Sequence, residues 1–190
     1  MGKMLQAEIW TVAQTAEGNV VLLRPLNKNI AIPVFVGQME IQSILIGMEG
    51  VRLPRPLTHD LFLSLLDSQG LALDRVEIQE LKENTFHARL VISGGAYTAD
   101  KPLILDSRPS DALGLAARRK CPVMVSQDIV KLAGIDMELF MAMLNGDEKG
   151  IPPGSNIGER RNRLQQQLND AIEKEEYERA AKLRDMLNEI

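Results

Sequence analysis

Cysteine is almost missing from this chain: Cys121 is the only one in 190 residues. A lone thiol excludes an internal disulfide, and with histidine confined to His59 and His87 it argues against a zinc site. Cys121 stands before Pro122 at the head of an apolar run and reads as a buried structural thiol. Aromatic residues make up 4% of the chain, too few for an evident base-stacking platform. No apolar stretch approaches the ~20 residues that a membrane span needs. The opening MGKMLQAEIWTV has neither the apolar block nor the small-residue cleavage site of a signal peptide, so the expectation is a cytoplasmic protein without membrane attachment. Excess positive charge is absent too. The net charge is −4, with 15 Lys/Arg against 18 Asp/Glu over residues 1–150 and 7 against 8 over 151–190. Bulk electrostatics therefore cannot hold this chain to nucleic acid, and any such contact is local and weak. The single basic cluster, Arg118-Arg119-Lys120, reads as a complement to a helix C-terminus.

What is present suffices for one packed domain and an appendage, since 45% of the residues are hydrophobic and 25% charged. Short β-branched segments predict strands at AEIWTVA, NVVLLRPL, IAIPVFV, VEIQEL, FHARLVIS and PVMVS. Turns are expected at Gly18-Asn19, Asn27-Lys28-Asn29 and Glu83-Asn84. Residues 38–48 have helical spacing, with Ile41, Ile44, Leu45 and Met48 on one face. A second helix is expected after Thr58 as its cap, with Leu61, Leu63, Leu65 and Leu66 as its apolar face and Gly70 as its stop.

The stretch LILDSRPSDALGLAARRKCPV, residues 103–123, joins a strand to a third helix. Pro109 suits a first helical turn, Ser107 can cap it, and Asp111 complements the dipole. That leaves Asp106 and Arg108 without a purely local reason. The junction has an echo: Arg55-Pro56 and Arg108-Pro109 both precede a helix that carries an early acid, Asp60 or Asp111. The two junctions are expected to face one cleft holding Arg55, His59, Asp60, Asp106, Arg108 and Asp111.

Residues 145–158, NGDEKGIPPGSNIG, have the composition of a linker. Residues 159–190 contain no Gly or Pro and carry two apolar stripes, broken at Glu173–Glu176. They predict a helical hairpin too short to bury its stripes alone. Contact with a partner is expected through Leu164, Leu168, Ile172, Tyr177, Ala180 and Leu187. The organisation expected is thus an α+β domain with a mixed β-sheet over 1–144, a linker over 145–158 and a hairpin over 159–190.

Three blocks occur in order: Ile32-Pro33-Val34-Phe35-Val36-Gly37 with Glu40, Arg55-Pro56-Leu57-Thr58-His59-Asp60, and Asp106-Ser107-Arg108-Pro109-Ser110-Asp111-Ala112. Together they closely resemble the bifunctional nuclease domain family over roughly residues 5–133, a family named for activity on DNA and RNA. The tail, with Glu175-Glu176-Tyr177-Glu178-Arg179-Ala180-Ala181, resembles the UVR motif of excinuclease subunits B and C, a helical hairpin for protein contact.

The resemblance implies phosphodiester hydrolysis with DNA or RNA as a transient substrate. It points to His59, Asp60, Asp106 and Asp111 as catalytic candidates, His59 as general base or acid, and Arg55 and Arg108 as phosphate clamps. Asp106 and Asp111, with Asp60, are candidate oxygen ligands for Mg²⁺ or Mn²⁺, and no organic cofactor is implied. Each residue also has a structural reading, as dipole complement or ion-pair partner. A competing function stays open, a non-catalytic regulator whose first domain binds an anionic ligand while the tail recruits a UVR-type protein. Self-association through the tail or the aliphatic first domain, giving a homo-oligomer, is a further expectation.

Overall fold

The computed structural model describes residues 2–15, 18–83, 85–95 and 101–144. The linker over 145–158, the hairpin over 159–190 and the candidate contacts Leu164, Leu168, Ile172, Tyr177, Ala180 and Leu187 lie outside the described residues. Eight strands form one sheet: β1 (Met4–Thr15), β2 (Gly18–Pro25), β3 (Ile30–Val36), β4 (Leu71–Lys82), β5 (Thr85–Gly94), β6 (Leu103–Ser107), β7 (Val123–Ser126) and the short β8 (Ile135–Asp136). Among the described residues five helices are interspersed: α1 (Gln38–Glu49), α2 (Thr58–Ser68), α3 (Pro109–Arg119), α4 (Gln127–Ala133) and α5 (Met137–Leu144). Strand order is β6-β5-β4-β7-β1-β2-β3-β8. Every pairing is antiparallel except β4 with β7, so the sheet is mixed and the class is α+β.

Strand alternation splits the core in two. Val21, Leu23, Val76, Ile78, Leu90 and Val123 face one side, where Ile44 of α1, Leu63 and Leu66 of α2 and Leu113 of α3 pack on them. Val20, Leu22 and Ala31 face the other side, beneath Met137 and Phe140 of α5. Trp10, beside a bulge in β1 between Ile9 and Thr11, alternates onto the face of that second cluster, with the Arg24 guanidinium 5.7 Å from its ring centroid. Among the described residues, no helix is long and apolar enough to cross a membrane.

Three local expectations are corrected. Leu61 and Leu65 of α2 are 63% and 57% exposed, while Leu63 and Leu66 are buried. Positions 61 and 65 are one turn apart and share a face, but tertiary packing selects the neighbouring face of the same helix. Thr58 does not cap α2: the cap position is Leu57, whose N–H donates to the Asp60 carboxylate at 2.9 Å. Ser107 does not cap α3 either. Arg108 holds that position in an extended conformation, and the Ser107 hydroxyl donates to the Arg108 carbonyl at 3.1 Å.

Candidate active site

The first turns of α1, α2 and α3 border one cavity of about 830 Å³, closed on the sheet side by Leu90 and Leu105. Glu40 enters from α1, His59 from α2, and Arg108 and Asp111 from the start of α3, with Asp106 at the end of β6. Four of the six residues expected around one cleft, His59, Asp106, Arg108 and Asp111, thus line it. Arg55 does not: it is exposed in the bend before α2 and is not part of the lining. Asp60 is also outside the lining.

His59 is the best-buried ionisable group of the lining that the geometry singles out, its side chain 16% exposed. Its Nδ1 shares a 3.0 Å hydrogen bond with Ser43 Oγ. Its Nε2 stands 3.8 Å from Asp111 Oδ1, beyond hydrogen-bond reach, and has no hydrogen-bond partner among the described residues. Burial lowers the pKa of this imidazole below the usual histidine value, and the nearby Arg118 cation lowers it further. Asp111 and Asp60 pull the other way without reversing the shift. The ring is therefore neutral at pH 7; in the tautomer whose Nδ1–H donates to Ser43 Oγ, Nε2 is a proton acceptor, buried against Gly114.

Gly114 creates the space for that ring. A Cβ at position 114 would lie 2.7 Å from His59 Nε2 and 2.9 Å from Cδ2, so only glycine admits the imidazole where it stands. Gly47 does the same between α1 and α3, where a Cβ would fall 3.0 Å from the Ala117 Cβ and 3.2 Å from Arg118 Cγ.

Arg108 is held between two acids. It donates Nε to Asp111 Oδ2 at 2.9 Å and Nη2 to Asp111 Oδ1 at 3.3 Å, and reaches Glu40 Oε1 through Nη1 at 3.4 Å. Its side chain stays 67% exposed, so the guanidinium is open to a ligand. Asp60 has a different employment. Desolvation raises its pKa, but the Leu57 N–H and the Arg118 guanidinium outweigh that and leave it lowered. Arg118 Nε donates to Asp60 Oδ1 at 2.8 Å.

Asp106 pairs in register with Arg89 of β5, whereas Leu105 pairs with Leu90. Alternation places Asp106 on the strand face opposite Leu105, so it borders the cavity from the rim. The donor set is short for a preformed metal site. Among the described residues no three His, Cys, Asp or Glu side chains converge to hold an ion, and both oxygens of Asp111 are already bonded by Arg108.

Ser43, Gly114 and Arg118 escape sequence reasoning. Arg118, read there as a dipole complement, is 7% exposed and also donates Nη1 to the carbonyls of Ser43 at 2.9 Å and Gly114 at 3.0 Å. Its neighbours in the basic cluster are engaged as well: Arg119 pairs with Asp67, and Lys120 donates to the carbonyls of Gly47 and Met48 that end α1. The only sequence trace of these roles is a glycine in mid-helix, which costs about 1 kcal/mol against alanine unless packing requires it; Arg118, in the last turn of α3, carries none.

A cavity under three helix starts on a mixed sheet, with a neutral buried imidazole beside an arginine and a carboxylate, defines the candidate site of an α+β domain. Comparison with known proteins narrows the class. The model of the bifunctional nuclease domain matches residues 21–138, and this chain belongs to that family. The UvrB/uvrC motif matches residues 158–190. An uncharacterized protein of Mycobacterium tuberculosis is 36% identical over 124 residues, 65% of this chain and 71% of that protein. Bifunctional nuclease 1 of Oryza sativa subsp. japonica is 25% identical over 116 residues, 61% of this chain but 35% of the plant protein. Bifunctional nuclease 1 of Arabidopsis thaliana is 22% identical over 187 residues, 90% of this chain and 55% of the plant protein.

Proposed function

We propose that this chain is a nuclease that hydrolyses phosphodiester bonds in DNA and RNA at the cavity between α1, α2 and α3, and that its tail is a protein-interaction hairpin. The observation that carries the reading is the neutral imidazole of His59, whose unpartnered Nε2 lies beside Asp111 and Arg108 at the cavity. Its role is to take a proton from the attacking water once a shift of the ring or of α3 uncovers Nε2, which is buried against Gly114, while Ser43 holds the ring through Nδ1. Arg108 supplies a planar cation for the phosphoryl oxygens on which charge builds, and Asp111 holds it in place. Asp111 also stabilises the imidazolium that forms after proton transfer. Asp60 acts through Arg118 rather than on the substrate.

The test is hydrolysis of single-stranded DNA and RNA by the purified chain, with and without Mg²⁺ or Mn²⁺, beside His59→Gln and Arg108→Gln. Loss of activity in both variants, with folding kept, supports the assignment. Activity that survives in both places the chemistry elsewhere. A second reading, a non-catalytic regulator that binds an anionic ligand at the exposed Arg108, is favoured by the burial of His59 Nε2 against Gly114, which leaves the imidazole out of reach of water. Ligand binding without turnover in any metal condition selects it. For the tail, removal of residues 151–190 is expected to abolish capture of a UVR-type partner and leave hydrolysis intact.

A further inference from the structure

Along each of the three helices the cavity changes character over one turn. Ser43 is followed by Ile46 on α1, His59 by Phe62 on α2, and Asp111 by Leu115 on α3, all lining the same space. Spacings of three and four residues stack side chains on one helix face, so a polar layer lies beside an apolar one. Leu53 and Leu57 add apolar surface to the lining, and Phe62 is the only aromatic residue among its described members.

We propose that the cavity takes one nucleotide unit of a single strand, its base in the apolar layer against Phe62 and its phosphate at Arg108. This rests on the nuclease reading for the polymer but concerns binding alone. Three features of the molecule support it. A volume of about 830 Å³ lies within the roughly 300–1,000 Å³ of pockets that enclose small organic ligands. A base can enter only if it is unstacked and unpaired, which a strand end or a single strand allows at least cost. The described lining has one cation and three carboxylates, so phosphate attraction is too weak to dominate and the base must contribute much of the affinity. Base stacking on an aromatic ring contributes on the order of 1–3 kcal/mol, comparable to what one exposed arginine offers a phosphate.

The experiment uses the full chain and measures binding by calorimetry or fluorescence, with adenosine 5′-monophosphate, adenosine and inorganic phosphate as separate probes. The monophosphate is expected to bind more tightly than either part. Phe62→Ala should weaken the monophosphate about tenfold and leave inorganic phosphate unchanged, with Phe62→Leu as the variant that keeps apolar volume if Phe62→Ala fails to fold. A single-stranded oligonucleotide titrated against the unaltered chain should give a log–log salt slope near about −0.7, the value for one phosphate contact. Inorganic phosphate binding as tightly as the monophosphate overturns the proposal, and so does a slope steeper than about −2, which requires several phosphate contacts. Monophosphate binding without polymer cleavage supports the pocket and removes the nuclease reading. Polymer cleavage with no monophosphate binding does the reverse.

Discussion

Gly114 and His59 fit together as a hole and the ring that fills it: a Cβ at position 114 would stand 2.7 Å from Nε2. Gly114→Ala therefore sets two effects against each other. Alanine improves helix propensity by about 1 kcal/mol, while overpacking typically costs about 1–3 kcal/mol. A net stability loss of up to about 2 kcal/mol is expected, together with a much larger loss of hydrolysis because the imidazole must move. Thermal melts beside initial rates decide it, and full activity would show that the ring position is not needed.

The lowered pKa of His59 makes a pH prediction. Burial first, and Arg118 next, keep the folded imidazole neutral below the ordinary histidine value of 6.5. A base must be unprotonated, so the rate should rise through a pKa below 6.5 and be flat by neutral pH. Stability follows the same sense. As pH falls below 6.5 the unfolded chain takes up the proton before the folded one does, and stability decreases. His59→Gln should remove that part of the pH dependence from denaturant titrations, and an unchanged profile would refute the linkage.

Arg118 joins α1, α2 and α3 through Ser43, Asp60 and its own Gly114. Arg118→Met removes the guanidinium partner of Asp60 and the side-chain donor that ties the Ser43 and Gly114 carbonyls together. Because Asp60 is 38% exposed and solvent screens it, a loss of about 2–3 kcal/mol is expected rather than the full cost of a broken buried pair. The midpoint of urea unfolding measures it.

Glu77 offers a control away from the cavity. It is 3% exposed and accepts from Arg75 Nε at 2.7 Å and Arg89 Nε at 2.5 Å. Desolvation raises its pKa, but the two guanidinium groups outweigh this and lower it, so its contribution is present above about 4.5 and lost as pH falls through the folded value. Glu77→Gln should cost about 2–4 kcal/mol while leaving the rate constant for hydrolysis unaltered in the folded fraction.

Cys121 tests the reading of a structural thiol. Burial raises its pKa to about 11, so little thiolate forms at pH 8 and alkylation of the native protein should be slow until denaturant is added. Rapid native-state labelling would contradict this.

Much of the domain is legible from local chemistry. Six of the strands follow from β-branched runs, and Pro109 marks the start of α3 because its ring suits a first turn. The helix over 38–48 is read to within one residue of α1. His59, Asp106, Arg108 and Asp111 are legible as site candidates because both Arg-Pro junctions place polar residues at helix starts, where anions and water converge.

Tertiary structure alone decided the rest. Whether α2 turns Leu61 and Leu65 or Leu63 and Leu66 inward depends on the sheet it meets, since both sets satisfy helical spacing. That Asp60 serves Arg118 and not the cavity depends on a residue 58 positions away. Arg118 finds Ser43 across 75 positions, and Gly114 is needed only because His59 of another helix lies against it. Periodicity and turn chemistry act within a turn or two of the chain, so the sequence by itself determined β1 to β7, α1 to α3 and the polar residues at their starts, but not α4, β8 or α5. Partnership across elements is set by how ridges and gaps meet when the helices pack on the sheet, which no local pattern encodes.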